Sequence, residues 1–189
     1  AGPQLASRLG PRRTVRIGLV VLFVAILYLL SLVDPNIDNV RFAIGMGIVG
    51  VGMGTLLSQL GNVVQSAVGA EGRSEAGGLQ FTAQQLGAAL GTAIVGAVVI
   101  SALATGFLNR VQSDERISEP VQQQVGVALE SGISVVPVST VEDAAQQAGL
   151  PPDEAEAVVE DYADAQLQAL KGGLLVTAFL VLGAMAFTG

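Results

Sequence analysis

Two long stretches, residues 42–68 and 77–109, contain no charged side chain yet carry glycine every few positions. In water each such glycine would weaken a helix by roughly 1 kcal/mol relative to alanine, but in lipid an unsatisfied backbone costs more, so helix persists. Joined by the short polar turn at 69–76, the pair reads as a membrane hairpin whose glycines permit close helix contact. Two further charge-free apolar runs, 17–33 and 172–189, approach the ~20 residues that cross a bilayer. The expected architecture is therefore all-α and polytopic, with transmembrane helices at 17–33, 42–68, 77–107 and 171–189. Segments 1–16, 34–41, 69–76 and 108–170 connect them.

Composition agrees. Of 189 residues 51% are hydrophobic and 13% charged, against about 25% charged in an ordinary soluble domain. There is no cysteine and no histidine, which excludes disulfide frameworks, thiol nucleophiles, His-based triads and the common zinc sites. Enzymatic chemistry, a metal and a cofactor are therefore not expected. The net charge of -7 is local: between Leu108 and Leu170 twelve acids face only Arg110 and Arg116. No basic footprint for nucleic acid exists. The chain opens without Met in a loop and stops after an apolar run, so it is expected to be a piece of a longer protein whose remaining helices are partners.

Arg8, Arg12, Arg13 and Arg16 precede the first span, which puts residues 1–16 on the cytoplasmic side and 34–41 outside. Residues 69–76 are then inside and the acidic segment 108–170 is outside. That segment is not shapeless. Pro120 suits the first turn of a helix ending near Ser131-Gly132. Ser139 and Glu142 have capping-box spacing for a second, closed by Gly149 and Pro151-Pro152. From Asp153, Ala155, Val158, Val159, Tyr162, Gln166 and Leu170 follow helical spacing, so a third helix is expected to run straight into the last span. The result is either a small helical cap with a part in gating or substrate entry, or a solvated connection.

Acids and bases are absent from the spans, so if the full protein is proton-coupled, the acid that carries the proton is expected outside this sequence. Neutral polarity remains. At 100° per residue, Gly45, Gly52, Thr55, Gln59, Asn62 and Ser66 share an arc of about 100° on the second span. Gln80, Gln84, Gly87 and Gly91 share about 60° on the third. Gly50-x-x-x-Gly54 and Gly87-x-x-x-Gly91 are small-residue packing motifs. For Gln59, Asn62, Gln80 and Gln84 two roles stand side by side: interhelical hydrogen bonds of about 0.6 kcal/mol each, or the lining of a substrate path. Thr55 and Met53 are further path candidates, although Met46 and Met53 also suit adaptable packing.

Leu5-Ala6-Ser7-Arg8-Leu9-Gly10-Pro11-Arg12-Arg13 resembles the degenerate second copy of the cytoplasmic loop signature of the major facilitator superfamily. Arg8, Gly10 and Arg12 match it, with Arg13 continuing the basic end; Ser7 stands where the family has an acid, and Pro3 where it has the first glycine. Ser74 to Ala93 resembles the penultimate helix of the fourteen-span drug:proton antiporters, which also place a long outer loop before the last helix. The resemblance implies the last four helices of a bacterial cytoplasmic-membrane exporter working by alternating access on a small molecule, with protons as the coupling ion. It further implies that the second span lines the central cavity, the third packs between the halves with Gln80, Gln84, Gly87 and Gly91 at that gate or interface, and the first and fourth are peripheral. A competing expectation is a non-transporting four-span scaffold or sensor whose acidic outer segment binds a ligand or partner.

Overall fold

A computed structural model describes residues 10–34, 38–130, 132 and 134–188. All regular structure among them is helical: α1 (Pro11–Ser31), α2 (Asn39–Ser66), α3 (Arg73–Ser113), α4 (Glu119–Glu130), α5 (Val138–Gln147) and α6 (Pro152–Phe187), with a 3-10 turn at Ala70–Gly72. Helices α1, α2, α3 and α6 are each long and apolar enough to cross a membrane. Arg8 of the loop signature, the reversal at 35–37 and Ser131 lie outside the described residues.

Helix ends differ from the sequence expectation for identifiable reasons. Helix α2 begins at Asn39 because the Asp38 carboxylate accepts hydrogen bonds from the backbone N–H of Val40 (2.9 Å) and Arg41 (3.4 Å), two donors otherwise orphaned at a helix start. Helix α3 starts at Arg73, inside the expected turn, and continues six residues past the expected end of the span at Phe107. The capping box expected at Ser139 and Glu142 does not form. Helix α5 opens at Val138 on Pro137, whose φ of -57° is ring-fixed, so Ser139 already lies inside the first turn. The expected continuity at the C-terminal end is present: α6 opens on Pro152 and runs unbroken to Phe187. Gly149 between α5 and α6 takes φ +70°, a left-handed turn that a side chain would oppose.

The described residues divide into two compact units, one up to Ile94 together with Leu174 onward, the other Val95–Gly173. In the first, α1 is the most enclosed helix, burying Leu19, Leu22, Ala25, Ile26 and Leu29. It packs antiparallel to α2: a Cβ added at Gly45 would meet Leu29 at 2.5 Å, one at Gly52 would meet Leu22 at 2.9 Å, and one at Gly18 would meet Leu56 at 3.1 Å. The end of α6 contributes Ala178, which clusters with Leu22 and Ile26. Arg16 Nε donates to the Thr188 carbonyl at 3.0 Å. Outside this seam, Phe42, Ile44, Met46, Val51, Met53 and Leu57 of α2 are exposed. Between residues 81 and 90 of α3, all but Gln84 are exposed.

The second unit has its own core. Leu103, Phe107 and Val111 of α3 meet Val158, Tyr162, Ala165 and Ala169 of α6, with Ile117 and Ala157 completing the cluster. Both helices present residues three and four apart, so each shows the other a continuous apolar stripe. Phe107 and Tyr162 stack edge to face at 5.4 Å and 87°. Gly173 admits Val99 to within 2.6 Å of where a Cβ would stand. The expected acidic loop 108–170 is thus a folded helical unit in which α4 and α5 cover the α3–α6 pair, their Val121, Val125, Leu129 and Val141 packing on the core.

Candidate functional site

The polar arc expected on α2 divides into two. Gly45, Gly52 and Gln59, seven residues apart, are buried, whereas Asn62 and Ser66 are exposed and Thr55 is half-buried. A seven-residue repeat keeps one face of a helix against a neighbour, and here it is the face turned to α1. Continuing the register of Leu29 opposite Gly45 and Leu22 opposite Gly52 puts Gln59 level with Val15. Gln59 is 1% exposed. Its Nε2 donates to Ser58 Oγ at 3.3 Å, while its Oε1 has no partner among the described residues. A buried amide oxygen left without a donor costs roughly 1–3 kcal/mol, so Gln59 carries a local cost that no aliphatic residue would.

Asn62 is half tied, its Nδ2 donating back to the Ser58 carbonyl at 3.3 Å. Thr55 Oγ1 donates to the Val51 carbonyl at 2.8 Å, as helical threonines do. Met53 is exposed. Gln80 and Gln84 are half-buried, and neither side chain makes a hydrogen bond among the described residues. Among the described residues no hydrogen bond joins the amides of α2 to those of α3. Gly50, Gly54, Gly87 and Gly91 have nothing within 4 Å of the Cβ position. The two small-residue motifs singled out in the sequence therefore lie open, while close packing uses Gly18, Gly45 and Gly52. Of the loop residues, Gly10 has φ +78° and its carbonyl accepts from Thr14 Oγ1 at 3.0 Å, and Arg12 and Arg13 are exposed.

Polar groups that the sequence did not single out gather in the second unit. Arg116 binds Asp114 (2.7 Å) and Glu160 (3.0 Å), and Arg110 binds Asp164 (3.2 Å) with a further hydrogen bond to Gln168. Hydrogen bonds from Arg116 hold the Asp114 carboxyl below the usual carboxylate range. Asp161 lies beside them and behaves oppositely: burial, then the negative charge of Asp114, pushes its carboxyl up, while Arg110 and Arg116 pull the other way. Its Oδ2 is buried without a partner among the described residues. Tyr162 Oη accepts from the Val136 N–H and donates to the Val136 carbonyl, both at 3.0 Å, and Gln166 Nε2 donates to that same carbonyl at 3.1 Å. These bonds pin the segment leading into α5. Among the described residues no group of three acids is placed to hold a metal ion.

No family model, curated protein or solved structure matches the chain.

Proposed function

We propose that this chain is the C-terminal part of a proton-coupled secondary transporter of the major facilitator kind, exporting a small molecule across a bacterial cytoplasmic membrane. What supports the reading most is the open stretch of α3. From Phe81 to Leu90 every position but Gln84 is exposed, Gly87 and the adjoining Gly91 have nothing within 4 Å of the Cβ position, and among the described residues the amides Gln80 and Gln84 make no side-chain hydrogen bond. In lipid, packing and interhelical hydrogen bonds drive helix association, and unpaired amides favour a protein or water surround. A helix of this kind calls for further helices and a hydrated space beside it, and alternating access supplies both: two halves rocking about a site near the midplane. Asn62 and Thr55, beside the buried face of α2, and Met53, exposed on the opposite side of the helix, are the path candidates; Gln59, inside the α1–α2 seam, acts on the path through helix packing.

The test is efflux in the full reading frame. Cells loaded with ethidium and carrying Asn62→Ala are expected to clear it several-fold more slowly than cells carrying the parent, at equal membrane abundance. Parental rates would remove Asn62 from the path. The folded second unit, in which Glu142 and Glu156 have no ion pair among the described residues, favours one other reading, a membrane sensor whose outer unit binds a ligand; it predicts no efflux by the parent protein at all.

A further inference from the structure

We infer that the second unit carries its own binding groove for a small amphiphile with a single positive head group and a short alkyl or aryl tail. This rests on Val95–Gly173 alone and holds whether or not the protein transports.

The tail site is a cavity of about 200 Å³ walled by Phe107, Val125, Leu129, Val141 and Leu150, with Gln124 the one polar side chain on its lining. Small residues, Ala128 of α4, Ala144 of α5 and Ala148 just past its end, leave it unfilled and are exposed at its mouth. An enclosed apolar cavity of roughly 150 Å³ accepts benzene, so this open-sided hollow of about 200 Å³ has room for a ring or a short chain.

The head site adjoins it. Leu150 also borders a second cavity of about 540 Å³, where Glu142, Gln146 and Glu156 stand beside the apolar Pro152, Ala155 and Val159. Neither Glu142 nor Glu156 has an ion pair or a side-chain hydrogen bond among the described residues. Both arginines of 108–170 are committed elsewhere, Arg110 to Asp164 and Arg116 to Asp114 and Glu160. The two hollows meet at Leu150, one apolar and the other bordered by glutamates that have no ion pair among the described residues, and the occupant that satisfies both is a cation with an apolar body. An anion of the same shape would be repelled, and a neutral one would gain only the tail contacts.

The test uses the full chain in phosphatidylcholine nanodiscs, with Gln124→Cys as the single cysteine, labelled with an environment-sensitive dye; the chain has no other cysteine. Octyltrimethylammonium, octyl glucoside and octyl sulfate are titrated in turn, with empty nanodiscs as the partition control. Saturable binding is expected for the cation, about tenfold weaker binding for the neutral glucoside and none for the sulfate. The surface variant Glu142→Gln/Glu156→Gln should weaken the cation about tenfold and leave the glucoside unchanged. Ala144→Phe, which fills the apolar end, should abolish binding of both. Three results would overturn the assignment: a response no different from partition into empty nanodiscs, equal affinity for cation and anion, or indifference to the glutamate changes. A dye response that depends on protein concentration without any amphiphile would give the groove to a second copy and also overturn it.

Discussion

Replacing Gly52 by valine tests how this chain holds its helices together. In water, burying a leucine such as Leu22 would contribute about 1.5–3 kcal/mol through the hydrophobic effect, but between lipid-exposed helices that drive is absent and contact geometry decides. At Gly52 a Cβ would stand 2.9 Å from Leu22 Cγ, 3.2 Å from the Leu22 backbone nitrogen and 3.4 Å from the Gly18 carbonyl oxygen. Two of these three atoms are backbone and cannot rotate away, so α1 and α2 must separate. Overpacking of this kind costs about 1–3 kcal/mol. The same substitution at Gly50, with nothing within 4 Å, is the control: it shares any change in helix propensity, up to about 0.5 kcal/mol, but none of the collision. Gly45→Val should fall between them, because its nearest obstacle is Leu29 Cδ2, the end of a side chain that can swing aside. The assay is denaturation with dodecyl sulfate in mixed micelles, read by energy transfer between dyes on cysteines at Arg12 and Ser66, both exposed. The expected order of destabilisation is Gly52, then Gly45, then Gly50. A Gly52→Val variant within about 0.5 kcal/mol of Gly50→Val would refute the α1–α2 seam.

Other expectations concern the second unit. Cysteines at Gln123 and Gln146, both exposed, should react with an impermeant maleimide on intact cells; reaction only after lysis would invert the topology. Tyr162→Phe removes the hydroxyl that serves both the N–H and the carbonyl of Val136, and should cost about 1–3 kcal/mol and speed amide exchange at 136–140. Unchanged exchange there would show that Gln166 alone suffices. Asp161→Asn should raise stability at neutral pH, because burial holds the Asp161 carboxyl above its ordinary range in the folded state. With the folded pKa raised, the folded chain binds the proton more tightly, so this group's contribution worsens as pH rises from about 4 through that raised value. The advantage of asparagine should therefore shrink on acidification; an advantage independent of pH would contradict the desolvation argument. Asp114, whose carboxyl is lowered by Arg116, works in the opposite sense, its contribution fading as pH falls through the carboxylate range.

Much of the architecture was legible because it follows from run lengths and punctuation. Charge-free stretches flanked by turn residues gave four long helices, and Pro152 followed by unbroken helical spacing gave one helix through to Phe187. What the sequence could not show was which face of each helix finds a partner. Gly50-x-x-x-Gly54 and Gly87-x-x-x-Gly91 have the spacing associated with packing, yet α1 approaches Gly45 and Gly52, because its Leu29 and Leu22 supply bulk at matching intervals. That match belongs to two helices together and is invisible on either alone. Gln59, read as one of an arc of polar residues, belongs to the buried seam for the same reason. The cap at Asp38 was hidden within a cluster of turn formers, any of which could have ended the reversal. The Arg116–Glu160 and Arg110–Asp164 pairs join residues 44 and 54 positions apart, a distance over which charge pattern carries no pairing information.

The seam between α1 and α2 is almost self-similar, and that has a cost. Leucines seven apart on one helix meet glycines seven apart on the other, so sliding α2 by one heptad, about 10 Å of rise, would set Gly52 against Leu29 in a contact much like the one Gly45 makes. Such a zipper has no unique closure from its glycines alone. The third tooth breaks the degeneracy: after the slide Gln59 would face Leu22, and an amide would be thrust against the bulkiest part of the apolar helix. A buried polar side chain at one position is the device by which coiled coils tell one register from another, and in this seam that position is held by Gln59.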